Sequence, residues 1–512
     1  MVCEDSLRPK RKTEISLSEI AQSERVSHFG PDATVSGVAV ASSDVCSGDL
    51  FVGLQGAKRH GAEFASDALA SGATAILTDS SGLKRLSERN LPVLIVENPR
   101  EVLGRISSLI YGGQSGHRPK IFGVTGTNGK TSTAFLLEAI MRGVGKRTAL
   151  STTAHRQVGE IIFPSSLTTP ESPDLHAMAA RAAEENVWGI AIEISAQALE
   201  QNRLDELSCD VAGFTNLSHD HFEDFGSMDR YLRAKAALFR YEKAKSAVVC
   251  VDSLWGQKLA ELSEVPVVKL GRGDELFDWN YRIIEARPRE TIFELKARDS
   301  RSVMLKLPAI GAHMVANAAL AAVMLIESGV KETQLVSMGP DGEGIPVFIP
   351  GRMEEVSGKS GPALYVDAGR SADAYQQTLS SLREHTSGVL IMVCGTSGNR
   401  DKSKRPIMGR VAADLADIVI VTDDDPRVED PSEIRRGLLS GAREVEKSQI
   451  YEVPDPSEAI RFAVSLAKEG DTVLWTGPGS QDYRDIGEKI PFSARVVARR
   501  ALLDAGWEVD SK

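Results

Sequence analysis

The sequence is poor in cysteine and has no long apolar run, and both absences limit what the protein can be. Only five cysteines occur in 512 residues, and no two of them form a Cys-x-x-Cys pair. This scattered, odd-numbered set indicates neither a disulfide framework nor a zinc site. No apolar run reaches the roughly 18 residues that a membrane-spanning helix needs, and residues 1–13 lack the apolar core of a signal peptide. We therefore expect a cytoplasmic protein without membrane insertion.

Positive charge is also in short supply. The chain has 60 Lys and Arg against 71 Asp and Glu, which gives a net charge of −11. Such an excess of negative charge argues against nucleic acid as a partner and against a general attraction to anionic membranes. A chain of this length also exceeds what one hydrophobic core supports, so three domains are the natural expectation.

Apolar, strand-like runs alternate with helical stretches in three blocks. The polar, glycine-rich segment 112–119 is typical of a linker and follows the first block. The third block begins near Pro350. We place the domains at residues 1–115, 116–348 and 349–512. The alternation predicts an α/β fold in which a central P-loop ATPase domain has a parallel-rich sheet and the C-terminal domain is Rossmann-like. The strand-like runs are residues 49–54, 73–78, 92–96, 187–194, 246–251, 364–366, 388–394, 417–421 and 472–476.

A glycine turn with a lysine is the most informative motif. Residues 126–131 read Gly-Thr-Asn-Gly-Lys-Thr, between an apolar run at 121–124 and a helical run at 132–141. A strand, such a turn and a helix form a cradle for nucleotide phosphates, in which backbone N–H groups and Lys130 face the anion and the Thr131 hydroxyl can bind Mg²⁺. The motif is shorter than the usual pattern, and a plain surface turn is the alternative. The pattern favours ATP as a substrate.

Three further positions in the central block carry side chains that suit a metal site. Glu193 ends an apolar run and is either an Mg²⁺ ligand or a solvent-facing carboxylate. His219 and His221 flank Asp220, and this trio either supplies a metal ligand or caps a helix. Lys235 lies among small apolar residues of a helical stretch, where it is paired, chemically altered, or extended to solvent along its apolar stem.

Taken together, these motifs resemble the Mur ligase family, the ATP-dependent enzymes that form amide bonds in peptidoglycan synthesis. The resemblance extends over nearly the whole chain. Within the family it is closest to the ligase that adds the third residue of the peptide. It rests on the motifs at residues 48–54, 125–131, 167–170, 193–195, 215–221, 234–239, 311–320, 350–354, 400–406 and 424–431.

The resemblance implies an ATP and metal site in the central block. Thr131 and Glu193 would hold one Mg²⁺, and His221 would help to hold a second. Lys235 matches a lysine that reacts with CO₂ to form a carbamate, which adds an anion to the metal site. Lys130, His221 and Lys235 are the implied catalytic residues. The implied ATP-binding residues are Gly126, Thr127, Asn128, Gly129, Lys130, Thr131, Ser132, Asn317 on the adenine side and Arg352 from the third domain.

The resemblance also implies the substrates. A monomeric ligase would phosphorylate the terminal carboxylate of UDP-N-acetylmuramoyl-L-alanyl-D-glutamate and join the acyl phosphate to a free amino acid. The implied UDP-substrate residues are Ser42 in the first domain and Thr168, Thr169, Ser195, Gln201 and Arg203 in the central domain. The implied amino-acid residues are Asp424, Asp425, Arg427, Gly477 and Gln481.

Several positions depart from the family's pattern. Asp425 replaces an asparagine, Gln481 replaces the acid that reads a distal amino group, and Arg370 replaces a histidine. These changes weaken the case for meso-diaminopimelate. Because Asp425 keeps an anion near the pocket, a basic amino acid such as lysine or ornithine is at least as plausible. Another Mur-type or folylpolyglutamate-type ligase, and a non-catalytic nucleotide-binding homologue, are the alternative interpretations.

Overall fold

The molecule consists of three α/β domains, each built on one main sheet. The computed structural model describes residues 7–56, 58–87, 90–112, 117–165, 167–219, 222–273 and 277–509, without the side chains of residues 222 and 223. His221, named above as a metal ligand, therefore lies outside the described residues. Within these ranges we find no helix with the length and apolar character that crossing a bilayer requires.

The first domain has a five-stranded sheet. Four neighbouring strands are parallel, and only the edge strand Ser27–Phe29 runs antiparallel to its neighbour. The strand-like runs that begin at residues 49, 73 and 92 all become strands, which confirms those predictions. In spatial order the strands are Ser27–Phe29, Val93–Ile95, Ala75–Thr78, Asp49–Gly53 and Gly37–Ala39.

The central domain has an eleven-stranded sheet with a parallel middle and antiparallel ends. The parallel part was predicted, whereas the hairpin at one end and the three-stranded meander at the other were not. In spatial order the strands are Ile161–Pro164, His155–Val158, Thr148–Ser151, Gly189–Glu193, Lys120–Thr125, Val211–Phe214, Ala247–Cys250, Val267–Arg272, Trp279–Arg287, Glu290–Ala297 and Ser302–Leu307.

The third domain has a six-stranded sheet that is parallel except for a short antiparallel edge strand, as a Rossmann-like domain requires. The carboxyl end of one inner strand, Ala363–Asp367, faces the central domain's nucleotide loop, because residues 367–371 line the same cavity as that loop. In spatial order the strands are Glu354–Glu355, Ala363–Asp367, Thr472–Thr476, Leu390–Cys394, Ile418–Val421 and Gln449–Glu452.

Two helices pack on one face of the central sheet and position the nucleotide loop. The helix Lys130–Gly143 follows the loop directly, and its apolar side chains share a core with those of the helix Ala312–Glu327. The second helix contains no Lys, Arg, Asp or Glu before Glu327 and is buried along nearly its whole length. A helix that is apolar on all sides belongs in a core.

Other helices contribute apolar side chains to the cores of all three domains. Among the described cysteines, Cys209, Cys250 and Cys394 are buried free thiols. Cys46 is disulfide-bonded, which the scattered spacing of the cysteines did not indicate. The α-helices are Leu17–Glu24, Ala65–Ala70, Ser80–Leu83, Pro99–Tyr111, Lys130–Gly143, Ser172–Glu184, Ala196–Glu200, Phe222–Phe225, Met228–Ala236, Leu254–Leu262, Ala312–Glu327, Ala372–Arg383, Lys404–Leu415, Pro431–Ala442, Pro456–Leu466 and Ala494–Asp504.

Candidate active site

The glycine turn lies in the middle of the central sheet, between the strand Lys120–Thr125 and the helix Lys130–Gly143. A neighbouring loop holds it: the Asn128 N–H donates to Asn216 Oδ1 at 3.0 Å, and the Thr215 hydroxyl donates to the Asn128 carbonyl at 2.6 Å. The turn is therefore held by a second loop of the central domain, with residues 128–130 half-buried.

The lysine and second glycine of the turn have distinct local roles. Lys130 Nζ donates to the carbonyls of Gly126 and Thr127 at 3.1 and 2.9 Å, so the side chain curls over its own loop. Gly129 has φ +86°, and a Cβ there would lie 2.4 Å from Asn317 Oδ1. Glycine is required on both counts, since L-residues avoid this φ and no side chain fits beside Asn317.

A cavity of about 780 Å³ opens between the central and third domains around this turn. The sequence-predicted ATP residues except Gly126 come together on its wall, together with Glu193, His313 of the central domain and Asp373 of the third domain. The sequence reasoning had not singled out His313 or Asp373. The cavity-lining residues used here are Thr127, Asn128, Gly129, Lys130, Thr131, Ser132, Glu193, Asn317, Arg352, His313 and Asp373. Burial lowers the pKa of His313, which keeps this wall residue neutral near pH 7.

Glu193 is the best-anchored carboxylate on this wall. It ends the strand Gly189–Glu193 and is 3% exposed, so the solvent-facing alternative is wrong. Its Oε2 accepts hydrogen bonds from the Thr131 hydroxyl at 2.9 Å, the Thr153 N–H at 3.0 Å and the Thr153 hydroxyl at 3.1 Å. Thr153 was missed by the sequence reasoning. Its signal was its position just beyond the strand Thr148–Ser151, at the edge of the sheet where parallel strands place ligand-binding residues.

The third domain contacts the nucleotide loop directly. An Arg352 Nη2 donates to the Thr131 hydroxyl at 3.1 Å, and the Asn128 amide donates to Asp373 Oδ2 at 2.9 Å. His219 Nε2 lies 3.1 Å from Asp401 Oδ2, also in the third domain. These contacts hold the two domains together around the cavity.

Lys235 is buried beneath the loop rather than extended to solvent. Its side chain is fully inside the domain, Nζ donates to the Gly126 carbonyl at 2.7 Å, and Nζ lies 4.3 Å from the centre of the Tyr231 ring. The snorkelling alternative is therefore wrong. Lys235 is not among the residues that line the cavity, and no group of three His, Cys, Asp or Glu side chains that could hold a metal ion occurs in the described ranges.

The central-domain residues predicted for the UDP-substrate form one connected group next to Glu193. The Thr169 hydroxyl donates to the Glu193 carbonyl at 2.9 Å and accepts from the Ser195 N–H at 2.9 Å. Arg203 donates to the Thr169 carbonyl at 2.9 Å and to Gln201 Oε1 at 2.7 Å. The Thr153 hydroxyl lies 3.2 Å from that of Thr168 and joins it to the same group.

The first domain meets this group through a carboxylate that the sequence reasoning missed. Glu171 lies 3.1 Å from the Arg203 guanidinium and 3.0 Å from that of Arg100, which is on the first-domain helix Pro99–Tyr111. Ser42 is not part of the hydrogen-bonded group, and it begins the short 3-10 helix Ser42–Asp44 of the first domain.

The residues predicted for the amino acid lie beyond the strand ends of the third domain. Asp424, Asp425 and Gln481 line a narrow cavity of about 10 Å³, and Gly477 approaches Asp424. Arg427 is outside this lining, with φ +54° and its Nε 3.9 Å from Asp485 Oδ2. Burial lowers the pKa of Arg427 and raises that of Asp424.

Comparison with known proteins places this arrangement in a family. Three family models match the chain: "Mur ligase family, catalytic domain" at residues 34–111, "Mur ligase middle domain" at 124–325 and "Mur ligase, glutamate ligase domain" at 351–479. The UDP-N-acetylmuramyl-tripeptide synthetase of Leifsonia xyli subsp. xyli is 45% identical over 514 residues, with 98% of each chain covered. The chain belongs to the Mur ligase family.

Further relatives support the assignment to this family. The UDP-N-acetylmuramoyl-L-alanyl-D-glutamate--2,6-diaminopimelate ligase of Streptomyces avermitilis is 36% identical over 500 residues, covering 97% of this chain and 98% of its own. A solved structure of a ligase with the same name superposes with a TM-score of 0.63 at 27% identity, over 96% of this chain and 99% of the other. The protein is therefore an ATP-dependent Mur ligase of peptidoglycan synthesis, and the non-catalytic alternative is set aside.

The contact between Gly129 and Asn317 predicts a specific effect on nucleotide binding. In Gly129→Ala the added methyl group overlaps Asn317 Oδ1 and must displace the loop or the asparagine. We expect the Kd for an ATP analogue, measured by titration calorimetry, to rise about tenfold or more.

Gly145→Ala is the matched control. Gly145 has a similar φ of +75°, but a Cβ there meets nothing within 4 Å. It carries the same backbone strain without the overlap, so nucleotide affinity should stay at the wild-type value. Equal affinity losses in the two variants would contradict the role given to the Gly129–Asn317 contact.

Proposed function

We propose that this Mur ligase joins a free amino acid to the D-glutamate carboxylate of UDP-N-acetylmuramoyl-L-alanyl-D-glutamate, as a monomer in the cytoplasm. One observation carries the proposal. The Glu193 side chain bonds to the nucleotide loop through Thr131, while its backbone carbonyl bonds to Thr169 of the substrate group. A carboxylate held by the Thr169 group would thus lie next to the phosphates held by the loop. The names of the relatives support the choice of nucleotide substrate.

The first step must bring two anions together, the substrate carboxylate and the γ-phosphate of ATP. The chain offers Lys130, the N-terminus of the helix Lys130–Gly143 and the loop N–H groups to neutralise them. Lys130 exchanges its loop carbonyls for phosphate oxygens when nucleotide binds. Little covalent chemistry by side chains is needed, because orientation and charge stabilisation supply the catalysis.

The donor set next to the loop fits Mg²⁺. The Glu193 carboxylate and the Thr131 hydroxyl are hard oxygen donors 2.9 Å apart, of the kind that Mg²⁺ selects. Mg²⁺ bound there would draw negative charge away from the phosphates during transfer. We propose that Glu193 and Thr131 hold this ion and that His221 serves a second one.

The buried position of Lys235 favours its conversion to a carbamate. The Lys235 ammonium is 1% exposed and lies 2.7 Å from the Gly126 carbonyl and 4.3 Å from the centre of the Tyr231 ring, and a buried cation is costly. The ammonium first loses one proton. The neutral amine then reacts with CO₂, which forms an N–C bond and releases a second proton, so that the cation becomes an anion. We propose this modified Lys235 as the anion that completes the metal site.

The second step is attack of the amino acid's neutral amine on the acyl phosphate, with release of phosphate. Arg427, next to the acidic residues of the third domain, is proposed to bind the incoming α-carboxylate with its forked guanidinium. The contacts of Arg352 and Asp373 with the loop keep the domains closed and water away from the acyl phosphate.

The direct test is phosphate release from ATP that requires two partners at once. We expect release only when UDP-N-acetylmuramoyl-L-alanyl-D-glutamate and an amino acid are both present, with the tripeptide nucleotide detected by mass spectrometry. Omitting either partner is the control. Phosphate release that does not require the UDP-substrate would overturn the proposal.

Lys235→Ala tests the carbamate. We expect loss of at least about 100-fold in kcat, because the metal site loses an anion, and partial rescue by added short carboxylic acids. Lys245→Ala, which removes a side chain 61% exposed and paired with Asp210, should keep wild-type kcat. Unchanged activity in Lys235→Ala, or no rescue by any carboxylate, would remove the carbamate from the account.

Arg427→Ala tests the α-carboxylate contact. Loss of a charge-assisted contact should raise the KM of the amino acid about tenfold or more while leaving the KM of ATP within about twofold. Arg436→Ala, at an arginine 68% exposed and paired with Glu433, is the control and should change neither constant. A parallel rise in both constants would show that Arg427 supports the fold instead.

A further inference from the structure

Arg370 occupies the acidic pair that the sequence offered as a site for a basic substrate. The Arg370 guanidinium approaches Asp424 with Nε 2.8 Å from Oδ2 and Nη2 3.3 Å from Oδ1, and its Nη2 lies 3.1 Å from Asp425 Oδ2. The Nε contact is an ion contact without hydrogen-bond alignment. The side chains of Asp424 and Asp425 are only 5% and 8% exposed. One internal cation thus lies between two buried carboxylates.

The remaining carboxylate oxygen of Asp424 and Asp425, which is Asp425 Oδ1, also has a hydrogen-bond partner. Asp425 Oδ1 accepts the Asp485 N–H at 3.1 Å, and the Asp424 carbonyl accepts Arg484 Nε at 2.9 Å. Burial alone lowers the pKa of Arg370, but the two carboxylates outweigh it and the net shift is upward. The guanidinium therefore keeps its charge.

Each of the three carboxylates at this site lies near an arginine of the chain. Asp424 and Asp425 are paired with Arg370, and Asp485 Oδ2 lies 3.9 Å from Arg427 Nε. A distal ammonium of a substrate would therefore find none of these three carboxylates without a cation beside it.

The cavity lined by Asp424, Asp425 and Gln481 is small, and its lining holds, among the described residues, no further acid without a cationic partner. The cavity on the Gln481 side of the acidic pair measures about 10 Å³, close to what a single water needs. On the other side, Arg370 itself lines the cavity of about 780 Å³. Gln481 is uncharged, and its amide donates to the Tyr483 hydroxyl at 3.3 Å. Asp423, also on this wall, is paired with Arg435.

We propose that Arg370 determines the specificity of this ligase by filling the acidic pair from within, so that the enzyme selects an amino acid with a small, uncharged side chain. The inference rests on the proposed function and narrows its substrate class. It replaces the expectation of a diamino acid. A distal ammonium would have to displace Arg370 from both carboxylates or be buried without a counter-ion, and either route is costly.

The test compares two amino acids of equal chain length that differ in one terminal group, L-homoserine (hydroxyl) and L-2,4-diaminobutyrate (ammonium). The measurement is kcat/KM for phosphate release in the presence of the UDP-substrate. The wild-type ratio of homoserine to diaminobutyrate should exceed ten. In Arg370→Ala, which exposes the acidic pair, the ratio should fall at least tenfold.

Two further variants separate charge from structure. Arg370→Lys keeps the cation and should retain a ratio above ten. Arg370→Ala combined with Asp425→Asn removes one exposed acid, and the ratio should recover at least partly toward the wild-type value. The thermal midpoint reports folding in every variant.

The outcomes are distinct for the two proposals. A wild-type preference for diaminobutyrate, lysine or diaminopimelate overturns this inference and leaves the ligase function intact, even if every variant fails to fold. An unchanged ratio in a folded Arg370→Ala also overturns it. No nucleotide-dependent release with any amino acid overturns the proposed function and this inference with it.

Discussion

The hydrogen bonds on Glu193 are the interaction on which the site depends. A carboxylate buried in an α/β domain needs partners, and here three donors from Thr131 and Thr153 converge on one of its oxygens. They tie the nucleotide loop to two neighbouring strands of the central sheet. Because the Glu193 carbonyl also bonds to Thr169, the loop and the substrate group share one fixed point. A shift of this residue would change both halves of the reaction geometry together.

The other domains are arranged around that point. The first domain is linked to the substrate group through Glu171, and the third domain contacts Thr131 through Arg352. Each of these two domains therefore brings an arginine to the central domain, Arg100 to Glu171 and Arg352 to Thr131. Such a division of ligands among domains lets closure assemble the site, and it makes the interdomain contacts part of the chemistry.

Local patterns allowed much of this to be predicted. The strands at residues 49–53 and 472–476 stood out as apolar runs, and Lys130 stood out through its glycine context. The antiparallel meander from Trp279 to Leu307 was missed because its strands have partly exposed faces and lack a long apolar run. A nucleotide loop can be predicted from a short local motif, whereas an edge strand has no comparable local pattern.

Contacts between residues far apart in the chain could not be predicted from the sequence. Arg370 was noticed only as a departure from a pattern, and nothing in its neighbourhood indicated that it would meet carboxylates more than fifty residues away. The same holds for the contact of Lys235 with Gly126, 109 positions apart. Fold position decides these contacts, so the sequence did not show that Asp424 and Asp425 would be paired with an arginine.

The central claim is that the loop and Glu193 together hold a magnesium nucleotide next to the substrate carboxylate. A crystal structure with a non-hydrolysable ATP analogue, Mg²⁺ and the UDP-substrate tests it most directly. We expect the triphosphate on the N–H groups of residues 127–131, with Lys130 turned from its loop carbonyls onto a phosphate, and a metal ion within about 2.2 Å of a Glu193 oxygen. A triphosphate bound elsewhere, or no metal beside Glu193, would contradict the account.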